Sequence, residues 1–156
     1  MKSKLLWLSC LLTAAVAMAT AGCGDETTND LEKPKIWDDS LPVNCQEVRR
    51  GDVLQVRFTF TDNVELGSYN IEVHNNFDHH SHSTSATECE QEADKEPVRP
   101  WVYNKDFAIG EGLKAFVAEM EIEVPADVDA GDYHFMVRVT DQSGWQEIKS
   151  VSIRVL

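Results

Sequence analysis

The sequence predicts an all-β domain, an antiparallel β-sandwich, and three observations predict it. Apolar and polar residues alternate at period two through Leu54–Phe60, Tyr69–Val73, Phe116–Val124 and Tyr133–Val139, the pattern of strands with one face in a core. Turn-forming groups such as Gly51-Asp52, Thr61-Asp62-Asn63 and Asp141-Gln142-Ser143-Gly144 punctuate those runs. No stretch carries helical periodicity over a useful length.

The chain opens on a segment that is not part of that fold. Lys2 and Lys4 precede an apolar run from Leu5 to Ala19, and small residues then lead to Cys23. This is the layout of a secretory signal over residues 1–22. Ala21-Gly22-Cys23 resembles the lipobox of bacterial lipoproteins, although Thr20 stands where Leu is commoner. The resemblance implies acylation of Cys23, a membrane partner through that lipid, and an outer-membrane location. A plain signal peptide cut nearby and an uncleaved anchor are the alternatives. Residues 23–35 are polar and acidic, with almost nothing to pack, so a flexible tether is expected there. Asp25 and Glu26 resemble the surface-export signal of some diderm lipoproteins, which implies exposure at the cell surface.

The domain is therefore expected over residues 36–156. The chain has 27 acidic and 14 basic residues and a formal charge of −13, near −15 once Lys2 and Lys4 leave with the leader. Such a surface repels nucleic acid and anionic lipid headgroups, so neither is expected as a partner. With Cys10 in the leader and Cys23 assigned to the lipid, Cys45 and Cys89 remain, and an oxidising compartment joins them most simply as a disulfide. Two buried thiols, or metal ligation by Cys89, are the other readings.

Five strands are expected, starting near Val53, Ser68, Lys114, Asp132 and Gln146. In the first, Leu54, Val56, Phe58 and Phe60 face inward. The second turns Tyr69, Ile71 and Val73 inward and His74 outward. The third buries Phe116, Ala118, Met120 and Ile122 and stops at Pro125. The fourth follows Asp129-Ala130-Gly131-Asp132-Tyr133, a lead-in resembling the tyrosine corner of immunoglobulin-like sandwiches. The fifth closes the domain with Val151, Ile153 and Val155. The fold expected is thus an immunoglobulin-like antiparallel β-sandwich with a long insertion between the second and third of these strands (C and E of that fold), from Asn75 to Gly112. Pro97 and Pro100 suit an added edge strand there, and a long loop on a rigid scaffold is where function tends to sit. Trp37, Trp101 and Trp145 are read as core residues, although an exposed Trp101 and Tyr103 would suit sugar or protein contacts.

Four of the five histidines fall within nine residues, His74-Asn75-Asn76-Phe77-Asp78-His79-His80-Ser81-His82. If the second and fourth strands are antiparallel neighbours, the end of one lies beside the start of the other, and outward-facing His74 meets outward-facing His134. Imidazoles so paired bind zinc or copper, with His79, His80, His82 and Asp78 as loop candidates to complete three or four ligands. A solvated His-rich loop with weak metal uptake is the bland reading. A weaker expectation is calcium at the opposite pole, on Asp62, Asn63 and Asp141; such turn residues more often serve local hydrogen bonds.

Catalysis is not expected. The chain has no Gly-x-Ser-x-Gly elbow, His-Glu-x-x-His helix or phosphate-cradling glycine loop, and a metal-assisted hydrolase ranks third. The rival to metal binding is a non-catalytic adhesion or assembly module contacting glycans or surface proteins through the long loop. Thr61-Asp62-Asn63-Val64-Glu65-Leu66, the block from Ile71 to His82 and the lipid-anchor start together resemble a domain-of-unknown-function family of short bacterial lipoproteins with one immunoglobulin-like domain. That resemblance covers most of residues 36–156 and implies no particular activity.

Overall fold

The computed structural model describes residues 30–81 and 89–156. Its eight strands are β1 (Lys35–Ile36), β2 (Gln46–Val48), β3 (Val53–Thr61), β4 (Leu66–Asn75), β5 (Tyr103–Ala108), β6 (Ala115–Glu123), β7 (Gly131–Asp141) and β8 (Gln146–Val155). They form a three-stranded sheet, β1-β3-β6, and a five-stranded sheet, β2-β8-β7-β4-β5. All pairings are antiparallel except β2 with β8, which is parallel. The first stretch of chain therefore begins in one sheet at β1 and crosses to the other at β2. This is an immunoglobulin-like sandwich, with both short strands covering sheet edges.

Alternation builds the core as the sequence expects. Leu54, Val56, Phe58 and Phe60 of β3 face Ile71, Val73, Phe135 and Val137 of the opposite sheet, all almost fully buried. Aromatic rings link the layers: Phe58 stacks on Phe135 with centroids 6.0 Å apart, and Phe60 meets Tyr69 at 5.3 Å. On the outer side of β6, Glu119, Glu121 and Glu123 point to solvent, and Arg57 and Gln55 of β3 bond to the first two of them.

Several boundaries and roles differ from the sequence reading. Asp30 and Pro34 are buried and Lys35 is in β1, so the end of the segment expected as tether already packs on the domain. Nothing in that segment's composition signals this, because the attachment is largely polar: the Asp30 carboxylate, its backbone carbonyl and a Lys33–Glu147 ion pair. The added edge strand is β5, and Pro97 and Pro100 lie ahead of it rather than within it. Trp101 is buried as expected, but Trp37 and Trp145 are about half exposed. Each of those two donates its indole N–H at the periphery, Trp37 to Thr61 Oγ1 and Trp145 to the Asp30 carbonyl.

The tyrosine corner forms at the start of β7. The Tyr133 hydroxyl donates to the Asp129 carbonyl at 2.7 Å and accepts from the Trp101 backbone N–H at 3.1 Å, tying the long insertion to the sheet. Tyr133→Phe is expected to leave the Trp101 N–H without its acceptor and cost about 1–3 kcal/mol in urea unfolding at neutral pH. Burial raises the Tyr133 pKa above its ordinary value of 10.0. A folded pKa above the unfolded one means stability holds below pH 10 and falls as pH rises past it. Alkaline unfolding should therefore be less steep in Tyr133→Phe.

Cys45 and Cys89 are joined across 44 residues of chain. In the chain-entropy account, closing such a loop contributes about 4 kcal/mol. Cys45→Ala with Cys89→Ala should lower unfolding stability by that order, read from denaturant melts with and without reductant.

Candidate metal centre

The register of β4 against β7 creates the site. Tyr69 faces Val139, Ile71 faces Val137 and Val73 faces Phe135, so His74 falls directly opposite His134. Val73 and Phe135 point into the core, and the next residue on each strand must point out. The two imidazoles thus share the outer face of the five-stranded sheet, with ring centroids 5.5 Å apart.

The chain beyond β4 then returns over that face. Asn76 N–H donates to the Asp132 carbonyl, extending the β4–β7 contact past the last strand residue. His79 adopts a left-handed conformation (φ 53°), one that His tolerates better than most residues, and it reverses the chain. His80 is carried back onto the strands as a result. Its ring lies nearly parallel to that of His74, with centroids 5.4 Å apart, and 5.0 Å from that of His134. The Nε2 atoms of His80 and His74 are 3.3 Å apart. His134 Nε2 lies 3.1 Å from the His80 carbonyl oxygen and donates to it, which in a neutral ring makes Nδ1 the lone-pair nitrogen.

Carboxylates stand behind two of the three rings. Asp78 Oδ1 is 2.5 Å from His80 Nδ1, and Glu72 Oε1 is 3.0 Å from His74 Nδ1, at ion-pair distance. The hydrogen bond to His80 is the main cause that lowers the Asp78 carboxyl pKa. Asp78 therefore engages the Nδ1 side of His80 and fixes the orientation of that ring. His79 turns elsewhere and pairs with Asp94 at 2.7 Å. His82 lies outside the described residues, as do Cys23 and the leader.

The long insertion is fastened over this face at several points. The Cys45–Cys89 bridge ties it beside β8. Asp132, which precedes His134 on β7, accepts from Arg154 Nε at 2.9 Å and from the Glu92 backbone N–H at 2.8 Å. That bond is the main cause that raises the Arg154 pKa. Asp129 Oδ2 accepts the N–H groups of Val98 and Arg99 at 2.8 and 2.7 Å. Lys95 caps the Ala130 carbonyl and lies over the Phe77 ring, 4.5 Å from its centroid. Under this cover His134 is only 7% exposed, although it points away from the core. Strand alternation alone cannot show that cover; the cysteine pair was its one legible trace.

At the other pole, Asp62 and Asp141 come together as their turns predict, but the third member is Asp30. One carboxylate oxygen of each lies within 4.8 Å of the others. Asn63 directs its amide N–H to Asp30 Oδ1 at 3.1 Å, so it supports the cluster as a donor. The sequence could not supply Asp30, which sits in a segment with no strand pattern.

Fold and outer-face histidines together define a single immunoglobulin-like domain whose long insertion is clamped back on its own sheet. The chain belongs to the family described as a domain of unknown function (DUF4625), which it matches over residues 21–156. No curated protein matches it. Among solved structures it is similar to the sporulation control protein Spo0M from Bacillus subtilis, with 10% identity and a TM-score of 0.40. The alignment covers 79% of this chain and 48% of that one, so this chain spans about half of that protein's length.

Gly131 sets how closely the insertion can approach. Its φ is +129°, and a Cβ there would stand 2.6 Å from Lys95 Nζ and 2.9 Å from Phe77 Cε1. Gly131→Ala is expected to cost roughly 1–3 kcal/mol of stability through backbone strain and displaced contacts. Increased amide exchange across residues 76–81 and 90–99 would report the lifted loop; unchanged exchange would refute the close-packing account.

Proposed function

We propose that this domain binds a divalent transition metal through His74, His80 and His134, and that a lipid on Cys23 holds it at the outer membrane. The observation that carries the reading is the 3.3 Å separation of His74 Nε2 and His80 Nε2. Two nitrogens bound to one zinc ion at about 2.0–2.1 Å in tetrahedral geometry stand about 3.3 Å apart. The Asp78 carboxylate hydrogen-bonded to His80 Nδ1 matches the outer shell that orients metal-binding imidazoles, and Glu72 stands at ion-pair distance from His74 Nδ1. His134 supplies the third ring from a rigid strand, and His82 or water is the candidate for a fourth position.

Zinc is favoured, with copper(II) its competitor. Both described cysteines are committed to a disulfide, which leaves an imidazole set without thiolate. The role proposed is binding rather than catalysis. The lipid anchor rests on the sequence resemblance at Ala21-Gly22-Cys23, and the disulfide fits an oxidising compartment outside the cytoplasm.

Metal content of the purified protein tests this, with a His74→Ala His134→Ala double variant beside the wild type. One equivalent of zinc in the wild type, lost in the double variant, is the expected result. Saturating zinc should also raise the wild-type melting temperature by several degrees, since 100-fold excess over Kd contributes about 2.7 kcal/mol. No bound metal in either protein refutes the site. Glycan or surface-protein binding that the double variant retains would favour the adhesion reading. A polar outer surface formed by Asn70, Asn104, Asp106 and Arg138 would suit that role.

A further inference from the structure

We infer that Asp30, Asp62 and Asp141 form a calcium site that fastens the segment leading into β1 to the pole opposite the histidines. The three carboxylates share one arrangement. Each commits one oxygen to local structure. Asp30 Oδ1 accepts from Glu32 N–H and Asn63 Nδ2, Asp62 Oδ2 accepts from Val64 and Glu65 N–H, and Asp141 Oδ1 accepts from Trp145 N–H. The second oxygen of each, Asp30 Oδ2, Asp62 Oδ1 and Asp141 Oδ2, is buried with no hydrogen-bond partner among the described residues. Asp30 and Asp141 are themselves only 7% and 4% exposed.

Turn chemistry explains the satisfied oxygens and leaves the others unexplained. Three like charges within 4.8 Å repel strongly where water is scarce. No described lysine or arginine forms an ion pair with any of them: Lys33 pairs with Glu147, and Lys114 reaches the Asn63 carbonyl. A hard cation supplies the missing charge and takes one oxygen from each carboxylate at once. An all-oxygen set without imidazole or thiolate favours calcium, which completes its shell with carbonyls and water.

The consequence is mechanical. Asp62 follows β3 and Asp141 ends β7, so both are fixed by the sheets, whereas Asp30 lies ahead of β1, outside both sheets and next to an exposed Leu31. That segment is otherwise held near the cluster by the Asn63 bond and by Trp145 Nε1 donating to the Asp30 carbonyl. Calcium would join the N-terminal segment to both turns, and its loss would release Asp30 first.

Calorimetric titration of the full-length protein with calcium chloride, after stripping with chelator, tests the site. One calcium per chain is expected, with affinity at least ten-fold weaker in Asp30→Asn, a change outside both sheets. Asp30→Asn should keep its zinc at the histidines, which separates this result from the reading above. Melting supplies the second measurement: in chelator Asp30→Asn should melt no lower than wild type, having lost a repelling charge, while in millimolar calcium it should melt lower. No calcium-dependent heat or melting shift in the wild type overturns the proposal. Equal calcium affinity in Asp30→Asn overturns it as well, and so does preference for magnesium over calcium.

Discussion

The antiparallel register of β4 and β7 is the constraint on which the histidine arrangement depends. Side chains alternate at period two, so the pairing that buries Val73 against Phe135 leaves no choice about the next pair. A slip of one residue in either strand would turn that strand's imidazole into the core, push its Val73 or Phe135 into water and undo the pairing. The hydrophobic free energy of two central strands therefore fixes the relative placement of two residues sixty positions apart in sequence. No dedicated interaction between the rings is needed to bring them together.

The third ring is placed by different physics. His80 comes from the stretch between β4 and β5, whose described residues form no strand, and it reaches the strands because the backbone reverses at His79 and is tied down further along. The ties are polar and covalent: a disulfide, the Arg154–Asp132 pair, and a carboxylate at Asp129 that takes two backbone N–H groups. The polar ties give the cover's backbone and side-chain groups partners within the protein, and the disulfide clamps it covalently, so it can lie over a sheet face while carrying few apolar side chains. The outer face of β7 is consequently buried at Asp132 and His134 by a coat of hydrogen bonds instead of by a second hydrophobic layer.

What could be read from the sequence follows this division. Period-two patterns located β3, β4, β6, β7 and β8, and adjacency within an immunoglobulin-like sheet was enough to pair His74 with His134. The cysteine count joined Cys45 to Cys89. The contribution of each loop residue was not legible, because Asp78, His79 and His80 are adjacent in sequence and differ only in backbone direction at one residue. Trp37 and Trp145 were misplaced for a related reason: indoles that hydrogen-bond at the periphery have the same composition signal as indoles in a core. Asp30 escaped notice because its attachment uses a carboxylate and a carbonyl, which leave no periodic trace.

The acidic outer side of β6 carries a consequence for the behaviour of many copies together. That strand lies at the edge of the three-stranded sheet and offers backbone groups to any strand that approaches. Glu119, Glu121 and Glu123 project from its exposed face, and only the first meets an arginine. Two molecules drawing together along this border would bring matching rows of carboxylates into contact. Crowded copies should thus remain dispersed at densities where a neutral border would zip them into fibres.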